Sequence, residues 1–210
     1  MDILKLKAEA KINLSLDVIG KRPDGYHDVK MIMQSVSLFD IVTIEAIQEG
    51  IEIYSNSRWV PSDSRNTTWK AANLLINKFG INYGVRINID KRIPVAAGLG
   101  GGSADAAAVL KGINSLFDLG ISYEELAAIG KEIGADVPFC VRGGTMLAEG
   151  IGERLTPLKP MKNVNIVIVK PNIAVSTAWV YKNLDLEKIE EHPDTELLVN
   201  AVNLSQHGII

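Results

Sequence analysis

One cysteine in 210 residues, Cys140, is too few for an internal disulfide or for a zinc site built on several thiolates, which suits a reducing compartment. Taken alone it reads as a small buried hydrophobe. Long apolar runs are also missing. Nothing approaches the roughly 18 to 20 uninterrupted apolar residues of a membrane span, and the first residues carry acids and lysines where a secretory leader would be apolar. The expectation is a cytoplasmic protein with no membrane partner. An excess of positive charge is absent as well: the formal net charge is -3, so a basic stripe for nucleic acid is not expected. A small anionic ligand can still be held by local groups.

What is present is core-forming material. Hydrophobic residues make up 47% of the chain, enough for one large or two small domains. "LKLKAEAKINLSLDVIG" (4–20), "DIVTIEAI" (40–47) and "GIEIYSN" (50–56) alternate apolar and polar residues with period two, as half-buried strands do. "NTTWKAANLLINKFGI" places Trp69, Ala72, Leu75, Ile76 and Phe79 on one helical face and ends at Gly80, a C-cap residue. "GVRINIDKRI" returns to strand, residues 103–117 read as helix, and "SYEELAAIGKEIG" reads as a helix capped by Ser122 with Glu125 three positions on. "VNIVIVKP" (164–171) reads as a continuous apolar strand. The fold class expected is α+β, a mixed sheet with helices packed on it. "LTPLKPMKN" (155–163), with two prolines and two lysines, marks the best boundary, giving a domain over 1–160 and the beginning of a second α+β domain over 161–210.

Between strand and helix lies "KRIPVAAGLGGGSADAAAVLKGINSLF" (91–117), where Gly98, Gly100, Gly101 and Gly102 fall within five positions. Glycines let backbone N–H groups approach an oxyanion without a Cβ in the way. Ser103 is placed to cap the helix, whose N-terminus carries about half a positive charge. This is the pattern of a polyphosphate site. It is not a P-loop, because no glycine of the run is followed by lysine. It is not a dinucleotide fingerprint either: Ser103 stands where the third glycine belongs, and no strand-borne acid follows at about 20 residues.

The run resembles the P-x3-G-L-G-[SG]-S-[SA] motif of the GHMP small-molecule kinases, here "PVAAGLGGGSADAA". "AKINLSLDVIGKRPDGYHDVKMIMQSVSLFD", "GADVPFCVRGGTMLAEGIGERL" and "PNIAVSTAWVY" resemble the members of that family that phosphorylate a cytidine-diphosphate-linked methylerythritol in the non-mevalonate route to isoprenoids. The resemblance implies ATP as phosphoryl donor, bound by Pro94, Val95, Ala96, Ala97, Gly98, Leu99, Gly100, Gly101, Gly102, Ser103 and Ala104, with Mg2+ bridging its phosphates. It adds Asn66 and Lys91 as nucleotide contacts, although capping and surface solvation explain these two nearly as well. The family's chains continue past position 210 with a further glycine-rich motif, so the expectation is of a fragment.

The reacting groups follow from chemistry and resemblance together. Asp136 in "GADVPF" lies between a helix end and an apolar Val-Pro-Phe stretch that reads as a strand start, where partial desolvation would favour a general base. Seen alone it is equally a turn or capping aspartate. Lys11, between Ala10 and Ile12, points inward or sits on a strand edge, and an inward lysine wants a carboxylate. In the family the matching pair meets at the reacting hydroxyl. For the pyrimidine, the resemblance implies Tyr26 stacking on cytosine, His27 bonding its edge, Tyr181 as second ring, and Asn13 and Thr177 as further contacts. Thr177 and Tyr181, four apart, share a helical face. The other readings are a GHMP kinase for a different alcohol and a non-catalytic nucleotide-binding module.

Overall fold

The structure, a computed structural model, describes residues 3–161, 164–171, 173 and 175–205. Internal packing divides them into two compact units, each visited more than once by the chain. One contains residues up to Ala10 with Val36–Val95 and Leu99–Arg142. The other contains Lys11–Ser35, Ala96–Gly98 and the chain from Gly143 on. Two long strands, β1 (Ile3–Lys21) and β2 (His27–Ile47), contribute residues to both.

In the first unit, residues 41–47 of β2 pair antiparallel with β4 (Gly84–Asp90), and β3 (Ile51–Ser55) pairs parallel to β4, so the sheet is mixed. The period-two pattern sets its faces. Val42 and Ile44, Ile53, and Val85, Ile87 and Ile89 are all buried, and β-branched residues fit this pleated surface. Four helices follow in the unit: α1 (Thr67–Phe79), α2 (Gly101–Leu116), α3 (Tyr123–Gly130) and α4 (Val137–Arg142). Ala71, Ala72 and Leu75 of α1 and the alanine run of α2 share one core with the strand residues. The small side chains let α2 lie close. At Gly112 even a methyl group would strike Ile44 Cδ1 and come within 3.1 Å of Leu6 Cδ1.

The caps of α1 and α3 are as expected: Gly80 is left-handed (φ 61) and donates to the Ile76 carbonyl, and Ser122 and Glu125 form a full capping box. Three expectations need correction. Of the expected face of α1, Trp69, Ala72, Leu75 and Ile76 pack on the core, with Thr68 and Ala71 also buried, while Phe79 is exposed. Helix α2 starts at Gly101 rather than Ser103, with Gly100 as a left-handed N-cap and no side-chain cap bond. The stretch after Asp136 is helix α4 rather than a strand, because Pro138 lies in the first turn, where its missing N–H costs nothing, and Cys140 N–H closes on the Asp136 carbonyl at 3.1 Å.

In the second unit, residues 29–34 of β2 pair antiparallel with β5 (Thr145–Gly150), and β6 (Arg154–Pro157) adds antiparallel to β5. The boundary stretch 155–163 thus begins inside β6, while Lys162 and Asn163 lie outside the described residues. Helices α5 (Thr177–Lys182) and α6 (Thr195–Leu204) complete the unit. The expected strand over 164–171 is not formed: the segment is coil, with Val167 87% and Val169 83% exposed. A strand apolar on both faces needs cover on both, and no described strand pairs with it. Asn172 and Ala174 of "PNIAVSTAWVY" lie outside the described residues. Among the described residues no helix is long and apolar enough to cross a membrane.

Candidate active site

The glycine loop leads from β4 into α2. Ala96, Gly98 and Gly100 all take positive φ, at 54, 73 and 69°. For Ala96 this is a strained conformation costing on the order of 1 kcal/mol, and strain of that kind concentrates at loops that hold ligands. The first intrahelical bond runs from Ala104 N–H to the Gly100 carbonyl at 2.8 Å. The preceding amides, at Gly101, Gly102 and Ser103, belong to a helix start with no side-chain cap, and the dipole favours an anion there. Thr67 Oγ1 donates to the Gly102 carbonyl at 2.8 Å and so fixes the start of α1 against the start of α2. Asn66 sits at the same end of α1 as its N-cap. Its Oδ1 accepts from Thr68 N–H and Oγ1–H, and its Nδ2 donates to the Pro61 carbonyl, so this buried side chain is engaged in capping.

Lys91 is not on the surface. Its ammonium donates to Asp40 Oδ2 at 2.5 Å and Asp105 Oδ2 at 2.7 Å, with the three side chains 6%, 0% and 4% exposed. Asp40 receives two more donors at Oδ1, the N–H groups of Arg92 and Ile93 at 2.5 and 2.7 Å. Asp105 accepts from Lys91 at Oδ2 and lies against the Asp40 carboxylate, and its Oδ1 is buried without a hydrogen-bond partner among the described residues. Burial therefore pushes the Asp105 carboxyl up to about 7, against the pull of Lys91. Neither acid was singled out by sequence. The available signal was an aspartate inside an alanine run, "SADAAAVL", and another inside an apolar strand, "SLFDIV".

The groups expected at the pyrimidine lie in the second unit. The β1–β2 turn is set by Gly25 at φ 86, by Asp24 Oδ1 accepting Tyr26 N–H at 3.1 Å, and by Arg22 pairing with Asp24 and Asp28. That geometry leaves Tyr26 58% exposed while His27, the first residue of β2, is buried. His27 stacks with Tyr181 of α5 at 5.2 Å between centroids, and Thr177 opens the same helix. Lys11 is buried on β1 and donates to Asn13 Oδ1 at 3.3 Å. The structure thus brings Lys11 to Asn13 and His27 to Tyr181. Asp136, in the first unit, is half-buried just ahead of α4.

A strand, a glycine loop and an uncapped helix start define a class, and the comparisons agree with it. Residues 66–144 match the family model described as the GHMP kinases N terminal domain. The chain is 60% identical over 202 residues to a protein of Acetivibrio thermocellus named 4-diphosphocytidyl-2-C-methyl-D-erythritol kinase, covering 96% of this chain and 71% of that protein. A protein of the same name from Caldicellulosiruptor bescii is 54% identical over 200 residues, covering 95% and 70%. A crystal structure of 4-(cytidine 5'-diphospho)-2C-methyl-D-erythritol kinase superposes with a TM-score of 0.76 at 33% identity, covering 96% of this chain and 72% of that one. The chain belongs to the 4-diphosphocytidyl-2-C-methyl-D-erythritol kinase family. A homoserine kinase from Cytophaga hutchinsonii, at 18% identity and a TM-score of 0.67, shares the fold.

Proposed function

We propose that this chain transfers the γ-phosphoryl group of ATP to a hydroxyl of 4-diphosphocytidyl-2-C-methyl-D-erythritol, a step toward isoprenoid precursors. The observation that carries the reading is the glycine-built, uncapped start of α2 in a chain 60% identical to a relative of that name.

Backbone amides of the loop from Pro94 to Ala104 hold the ATP phosphates, where the helix dipole and the absence of side chains suit an extended anion. Asp136 accepts the proton of the attacking hydroxyl, and Lys11 supplies positive charge for the transferred group; phosphoryl transfer to an alcohol asks for little more than position and electrostatics. The cytosine lies on the aromatic groups of the second unit. Tyr26 offers a solvent-facing ring at the turn, while Tyr181 and His27 form a stacked pair that places one ring face and one imidazole edge in fixed relation. Asn13 and Thr177 are further polar contacts for that substrate. Asn66 and Lys91 act behind the nucleotide site, as cap of α1 and support of the loop, since their polar atoms are already engaged. Among the described residues no group of three or more His, Cys, Asp or Glu side chains is placed to hold a metal. A magnesium ion accompanying ATP would supply positive charge that offsets the charge of the transferring phosphates.

The test is selectivity. ADP production by the chain is measured with the cytidine-linked alcohol, homoserine and mevalonate in turn. Turnover confined to the first supports the reading, and equal or greater turnover with another alcohol rejects it.

A further inference from the structure

At the start of α2 the protein buries three ionisable side chains that the reading above gives no reacting role. Ion clusters of this kind are a poor source of stability, because desolvating each ion costs several kcal/mol that the pairing only offsets. Its placement is specific, however. A Cβ at Gly101 would lie 2.9 Å from Lys91 Nζ and 3.1 Å from Ile93 Cγ2, so the first residue of the helix rests on the ammonium and the strand end. Asp40 ties the same ammonium to the N–H groups of Arg92 and Ile93, which lead into the loop. Asp105, one turn into α2, ties it to the helix that leaves the loop. One network thus fixes the loop's entry, its floor and its exit.

We propose that Lys91, held by Asp40 and Asp105, is a positioning residue for the phosphate loop: it sets the backbone that meets the phosphates and does not touch them itself. The inference rests on the reading that this loop holds the ATP phosphates. It differs from a direct Lys91–phosphate contact in a sign that can be measured. Removing a carboxylate would free the ammonium and strengthen a direct contact, whereas it loosens a support.

The dissociation constants of ADP and adenosine are measured by calorimetry for the 210-residue chain and its Asp40→Asn and Asp105→Asn variants, with circular dichroism to verify folding. Two carboxamide variants are used so that a failure of either to fold leaves the other as the test. The expected result is ADP affinity lower by about ten- to a hundredfold, the scale of a misplaced contact, with adenosine changed by less than about twofold. Unchanged or tighter ADP binding in a folded variant overturns the proposal, as does equal weakening of both ligands. If the unmodified chain holds ADP no more tightly than adenosine, the phosphate-loop reading falls first and this proposal with it.

Discussion

Tyr181 lies against His27 with ring centroids 5.2 Å apart and planes inclined by 29°. His27 is buried at the start of β2, so its ring is held from behind, and Tyr181 comes from a short helix capped by Ser176. A stacked pair with one anchored member is a firm platform for a base. Tyr181→Ala is expected to weaken cytidine diphosphate binding by about 1 to 3 kcal/mol, as is Tyr26→Ala, while ADP binding stays within about twofold. Titration of both nucleotides into each variant checks this, and equal losses for the two would point to a damaged fold instead.

The glycine loop predicts a loss of the opposite kind. Gly100 is the left-handed N-cap of α2 at φ 69, a conformation that costs a residue with a Cβ on the order of 1 to 2 kcal/mol, and a valine there also crowds the amides that follow. Gly100→Val is expected to reduce ADP affinity at least about tenfold with cytidine diphosphate binding intact. Unchanged ADP affinity in a folded variant would remove the loop from the nucleotide site.

Asp105 gives stability a pH dependence of known sign. Its carboxyl is pushed up to about 7 from an ordinary 3.8 by burial. Between those values the folded state binds a proton that the unfolded state has lost, so stability falls as pH rises from about 4 to about 7, by at most on the order of 4 kcal/mol. Below that window both states are protonated and the full contribution is present; above it the contribution is gone. Asp105→Asn is expected to flatten this part of the profile. Urea unfolding at several pH values in both proteins decides it, and an unaltered slope in the variant would be the contrary result.

Packing makes a further claim at Gly112. A methyl group there meets Ile44 Cδ1 and Leu6 Cδ1, so Gly112→Ala is expected to cost about 1 to 2 kcal/mol by overpacking, even though alanine favours helix by up to about 1 kcal/mol. Chemical denaturation measures the balance, and a stabilised variant would show that α2 can move away from the sheet.

The sequence carried much of this and failed where local pattern meets tertiary context. Period-two alternation found β1, the 40–47 part of β2, β3 and β4, and missed the start of β2, where Met31, Ile32, Met33 and Gln34 are buried in succession and no alternation shows. It misread "VNIVIVKP", since apolar residues on both faces specify a strand only when neighbours exist to cover them. Asp136 was legible as a half-buried acid before an apolar stretch, but Val-Pro-Phe was taken for strand because the hydrophobicity of a short run does not distinguish it from a helical turn. Ser103 was expected to cap α2; glycines that can themselves be helical moved the start two residues back. The partners of Lys91 were not legible: it was read as a nucleotide contact or a solvated lysine, and only the fold shows that Asp40 and Asp105, 51 and 14 residues away, converge on it.

The central claim, that Asp136 is the base in an ATP-dependent transfer to the cytidine-linked alcohol, is tested most directly by steady-state kinetics of alcohol-dependent ADP formation in the chain and its Asp136→Asn variant. The substitution keeps the size and removes the proton acceptor. The account predicts a kcat lower by about 100- to 10,000-fold with little change in KM for either substrate. Full activity in the variant, or ADP formation in the unmodified chain that does not depend on the alcohol, would contradict it.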